Sequence, residues 1–124
     1  MNEFQKFENQ VIDIIKSLDR ACSWSDLLPF SKDLFILLEK KKEEFNFSFL
    51  SNKTVLSKRL AQCLNPECPS GLHEIIINIY ALILGNILSK NNNKLKDNLG
   101  IYSSGLFPFF HMHLFLIKNY IWRV

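Results

Sequence analysis

Leu72-His73-Glu74-Ile75-Ile76-Ile77-Asn78-Ile79-Tyr80-Ala81-Leu82-Ile83-Leu84-Gly85-Asn86-Ile87-Leu88 is the stretch on which the fold turns. Leu72, Ile75, Ile76, Ile79, Tyr80, Ile83, Leu84 and Ile87 follow helical spacing, and Ile77, Ala81, Leu82 and Leu88 between them are apolar too. A helix that is apolar on nearly every side is surrounded by other elements. Its uncharged part, Ile75 to Leu88, is 14 residues long. That is short of the roughly 20 a membrane span needs, so a central core helix is expected.

The segments upstream supply what packs around it. Phe4, Phe7, Val11, Ile14, Ile15 and Leu18 line one face of an amphipathic helix over residues 2–20. Ser23-Trp24-Ser25-Asp26 reads as a capping box with Asp in place of Glu. The helix it opens reaches about Lys42, with Trp24, Leu27, Leu28, Leu34, Phe35 and Leu38 on one side. Pro29 predicts a kink or a late start in it, because proline removes one backbone donor. Residues 45–52 alternate apolar and polar, but no second strand exists to pair with them. They are read as an extended connector that buries its Phe residues. A third helix spans Lys53–Leu64, with Val55, Leu56, Leu60, Cys63 and Leu64 inward. Asn65-Pro66 stops it, and Ser70 is expected to cap the central helix. Beyond a polar Asn91-Asn92-Asn93 loop, Leu95 to Phe110 and Leu114 to Trp122 read as two further helical segments. The fold class is all-α. Antiparallel helix pairs of about 40 residues suit a HEAT- or armadillo-like α-solenoid fragment.

Composition narrows the function classes. The chain has 124 residues, which excludes architectures of roughly 200 residues or more, such as a TIM barrel. Residues 1–44 carry 7 basic and 9 acidic side chains, net −2; residues 45–124 carry 8 and 3, net +5. The basic residues are scattered, and Lys53, Lys58 and Arg59 sit on an ordinary amphipathic helix, so no nucleic-acid partner is expected. Three cysteines, Cys22, Cys63 and Cys68, with no basic-then-apolar leader at the N-terminus, suit a reducing compartment.

Nothing in the sequence assembles into catalysis. Cys63, Cys68 and His73, with His111 or His113, contain the ligand types of a zinc site but not the spacing of one. Ser103-Ser104-Gly105 lacks the first glycine and the strand of a nucleophile elbow. Gly71, Gly85, Gly100 and Gly105 stand too far apart for a phosphate loop. No enzyme, metal or cofactor is expected.

Two stretches carry a resemblance. Ser57-Lys58-Arg59-Leu60-Ala61-Gln62-Cys63-Leu64-Asn65-Pro66, followed by Pro69-Ser70-Gly71-Leu72-His73, is similar to the signature of the Dopey family N-terminal domain. So is Ile101-Tyr102-Ser103-Ser104-Gly105-Leu106-Phe107-Pro108. Trp24-x-Asp26-Leu27 resembles that domain's second helix, and the likeness is strongest over residues 24–109 of a 1–124 helical domain. The resemblance implies a large non-enzymatic scaffold or adaptor, peripheral to Golgi and endosomal membranes on their cytoplasmic face. It implies an α-helical solenoid and a role in vesicle-mediated protein transport between the two compartments. The partners it implies are a large trafficking scaffold related to Arf exchange factors and an aminophospholipid flippase. It also links this domain to cargo or motor recruitment. Lys58, Arg59, Gln62, Tyr102, Ser103 and Ser104 are the motif residues expected to line a partner surface. Family members are many times longer, so the chain is expected to be a truncated member.

Leu99 to Ile117 is uncharged for 19 residues, and the alternative reading is a small membrane-associated helical protein anchored there. Ser103, Ser104, Gly105, Pro108, His111 and His113 make it a poor span. An array end leaves its last helix uncovered. The apolar surplus is therefore expected on Phe109, Phe110, Phe115 and Trp122, and the isolated chain is expected to self-associate. Size-exclusion chromatography with light scattering checks this: a mass above 14.5 kDa that rises with concentration is expected, and a monodisperse monomer contradicts it.

Overall fold

The computed structural model describes residues 2–90 and 98–102. Among these residues every regular element is helical. The elements are α1 (Glu3–Arg20), α2 (Trp24–Lys41), a 3-10 turn (Phe47–Phe49), α3 (Lys53–Gln62) and α4 (Ser70–Lys90). Residues 98–102 are helical as well. The Asn91–Asn93 loop, the segments expected beyond Tyr102, Phe109, Phe110, Phe115 and Trp122, and most of the 99–117 anchor lie outside the described residues.

The Asn2 side chain starts α1 by accepting from the Gln5 amide at 2.7 Å. Phe7, Val11, Ile15 and Leu18 form its buried stripe, as their spacing predicts. α2 begins at Trp24, so Pro29 does not delay it. Pro29 lies in the second turn, where its missing donor orphans only the carbonyl of Ser25, a residue open to water. The expected capping box does not form. The Ser23 hydroxyl pairs with the Ser25 hydroxyl at 2.8 Å and reaches Asp26 Oδ2 at 3.4 Å, leaving the first backbone amides uncapped by a side chain. Trp24 is 53% exposed and departs from the inward side assigned to it. Each α-helix carries a basic residue in its last turn: Arg20, Lys40 and Lys41, Arg59, and Lys90.

The connector after α2 is not extended throughout. Asn46 Oδ1 accepts from the Ser48 amide at 3.0 Å and from the Ser48 hydroxyl at 2.7 Å. This local competition for the backbone closes a 3-10 turn instead of leaving a straight run. Phe47 is fully buried and stacks on Phe7 with ring centroids 5.6 Å apart. Phe45 is half-buried, stacking on Phe7 at 5.1 Å and meeting Phe4 edge-on at 5.4 Å. Phe49 points outward, 61% exposed, contrary to the expectation that all three would be covered. In α3, Leu56 and Leu60 are buried, with Cys63 and Leu64 just after it, whereas Val55 is 43% exposed. α4 starts at Ser70 itself, and the Pro69 carbonyl accepts from the amides of Leu72 and His73.

The packing order is simple. α1 and α2 form an antiparallel hairpin joined by residues 21–23. α3 packs on α1, and α4 packs along α2. Arg59, near the end of α3, pairs with Asp19, near the end of α1, so these two helices run the same way. Asn86, near the end of α4, bonds the carbonyl of Lys42 just past α2, so that pair is parallel too. α4 is the central helix: Leu72, Ile76, Ile77, Ile79, Tyr80, Ile83 and Ile87 are fully buried in one core with Phe7, Leu34, Leu38, Phe47, Leu56, Leu60 and Leu64. It is also long and apolar enough to cross a membrane. Its apolar surface, however, is largely enclosed by protein.

One polar side chain holds this core in register. Asn86 is buried, and its Oδ1 accepts from the Phe47 amide at 2.9 Å. Its Nδ2 donates to the carbonyls of Lys42 at 2.7 Å and Phe45 at 2.9 Å. A second polar contact at the same end runs from Lys90 Nζ to the Glu43 carbonyl at 2.8 Å. An orphaned buried hydrogen-bonding group costs about 1–3 kcal/mol, and water can reach some of those freed here. Asn86→Ala is therefore expected to lower unfolding free energy by about 3 kcal/mol in urea titrations followed by circular dichroism. Ser89→Ala, which removes only a bond to the Asn86 carbonyl, is expected to cost under about 1 kcal/mol. Equal losses in the two variants contradict the register role.

The core also holds groups that resist ionisation. Burial pushes the Cys63 thiol from 9.0 up to about 12, and the nearby Cys68 adds to the shift. Burial likewise raises Tyr80, with Tyr102 and Cys63 contributing, and it raises Tyr102. A pKa higher in the fold than in the unfolded chain stabilises fully below the unfolded value and is lost as pH rises through the folded one. Stability in urea is expected to hold up to about pH 9, then to fall by about 1.4 kcal/mol per pH unit for each group titrating. Cys63→Val is expected to make the fall between about pH 9 and pH 10 shallower, leaving only the smaller share of Cys68, whose thiol is also raised, before the tyrosines of the unfolded chain begin to ionise near pH 10. An unchanged slope over that range in the variant assigns the fall to other groups.

Candidate functional site

The segment from Ser57 to His73 is a helix end, a tight turn and a helix start. Ser57 is buried, and its hydroxyl donates to the Ile101 carbonyl at 2.9 Å, fastening α3 to the helical residues 98–102. Lys58, one position on, is exposed. Arg59 turns toward α1: one guanidinium nitrogen lies 2.6 Å from Asp19 Oδ1, and another donates to Gln62 Oε1 at 3.0 Å. The arginine side chain is largely covered and the aspartate more than half open, so the charge is partly screened by water. The pair's main consequence is alignment of α1 with α3. Gln62 is exposed.

After Gln62 the chain reverses within a few residues. The Asn65 carbonyl accepts from the Cys68 amide at 2.8 Å, closing a turn with Pro66 in its second position, where a fixed φ is favourable. Asn65 Oδ1 accepts from the Glu67 amide at 2.9 Å. The same Asn65 carbonyl accepts from His73 Nε2 at 2.8 Å, which places the ring proton on that nitrogen and ties the turn to the first turn of α4. Asn65, Pro66, Pro69 and His73 are thus occupied in building a corner.

The structure separates the motif residues expected to share a surface. Lys58 and Gln62 occupy the outer side of α3, and Arg59 is engaged with Asp19 beside them. Tyr102 is fully buried, its ring edge-on to Tyr80 with centroids 6.1 Å apart. It fills the core between helices and cannot line a partner surface as expected, because an aromatic ring of this size gains most from burial there. Ser103 and Ser104 lie outside the described residues. Val55 joins Lys58 and Gln62 on the outer side of α3, which the sequence reading did not foresee. Asp19 was also missed as a motif partner, since nothing local in α1 marks it.

The segment holds two thiols, and both are kept protonated by their surroundings. Cys63 is a buried neutral thiol, and Cys68 is also raised, by burial and by Glu67. Neither has the lowered pKa of a nucleophile. Among the described residues no three His, Cys, Asp or Glu side chains group as metal ligands, Cys63, Cys68 and His73 included.

The family model described as Dopey, N-terminal, matches residues 1–123. A DOP1 homolog of Plasmodium falciparum is 31% identical over 105 residues, which cover 85% of this chain and 2% of that protein. DOP1B of Xenopus laevis and DOP1B of Mus musculus are each 30% identical over 105 residues, covering 85% of this chain and 4% of each relative. The chain therefore spans only a few hundredths of the length of these curated relatives. No solved structure matches it. The family is a non-catalytic one, in keeping with a motif whose residues build a corner and a core. With the family model covering all but the last residue, and relatives of that family 30 and 31% identical to it, the chain belongs to the Dopey family, in its N-terminal domain.

Proposed function

We propose that this chain is a non-enzymatic scaffold or adaptor module in vesicle-mediated protein transport between Golgi and endosomes. It acts at the cytoplasmic face of those membranes, as a peripheral rather than a spanning protein. The observation that carries this reading is the family match over residues 1–123. Its partners are a large trafficking scaffold related to Arf exchange factors and an aminophospholipid flippase. The architecture is the beginning of a HEAT- or armadillo-like solenoid, with residues 1–124 forming one helical domain. Support comes from the stacking of α3 on α1 and of α4 on α2, each in parallel, which is how successive hairpins stack in such arrays.

Lys58 and Gln62 form the partner surface, with Arg59 at its edge and Ser103 and Ser104 continuing the motif. Exposed side chains of this kind contribute little to folding, so their substitution separates binding from stability. Lys58→Glu is expected to change stability by under about 0.5 kcal/mol. Proximity labelling in cells with the tagged chain is expected to enrich Golgi and endosomal trafficking proteins, and Lys58→Glu is expected to reduce that enrichment several-fold. Enrichment of none, by a chain whose circular dichroism is helical, overturns the reading. Carbonate extraction completes the test: release into the supernatant is expected, while resistance favours an anchor at 99–117.

A further inference from the structure

We draw no further inference here: the strongest candidate, the groove that Ala81, Leu82, Gly85 and Ser89 open beside Lys42 and Lys90 at the C-terminal ends of α2 and α4, is a stripe of small residues whose buried amide, Asn86, is already committed to backbone partners, and nothing in the structure shows what covers it.

Discussion

Asn86 joins three pieces of chain that would otherwise meet only through apolar contact. Hydrophobic packing is strong but non-directional, and it tolerates sliding of one helix along another. An amide that must both accept from Phe47 and donate to Lys42 and Phe45 tolerates almost none. Once those bonds form, the end of α2, the connector and the end of α4 are fixed together. The position of Phe47 against Phe7 then follows, and α1 is held through it. A buried polar group is costly unless satisfied, and the same cost makes the satisfied arrangement specific.

At the opposite end of the helices the constraint is of another kind. Arg59 and Asp19 align α3 with α1 through a charge contact that water partly screens. The Asn65 corner, closed by Cys68 and by His73, sets where α4 departs. One end is therefore held by a buried amide and the other by a corner and an ion pair. α4 passes between the two, wrapped in apolar side chains.

Much of this was legible from spacing alone. The stripe of α1, the buried positions of α3 near Leu60 and Leu64, and the central place of α4 all follow from periodicity, because a long run averages over single exceptions. The errors were of two kinds. Trp24, Val55 and Phe49 sit at the first turns of helices or within a three-residue turn, where the facing of a side chain depends on how the chain enters. Tyr102 belongs to a motif recognised by its residues, and recognition does not say whether a residue acts by touching a partner or by filling space. The motif predicted a shared site; burial divided it into an outer strip at Lys58 and Gln62 and a core group at Ser57 and Tyr102. Asn86 went unnoticed because a lone asparagine in an apolar helix is meaningful only once its three partners, some 40 residues away, are in place.

Parallel stacking has an electrostatic consequence. Helices lying side by side in the same direction bring like ends of their dipoles together, an arrangement that repels. The carbonyl ends of α2 and α4 meet in this way, and so do those of α1 and α3. At each of these ends the last turn holds positive charge: Lys40, Lys41 and Lys90 on one side, Arg20 and Arg59 on the other. Five of the basic residues that look scattered along the sequence thus occupy last turns, at the carbonyl ends where their charge offsets the helix dipoles. Added hairpins of the same pattern would bring further carbonyl ends to the same two sides, and the repulsion that such last-turn charges offset would grow with every layer.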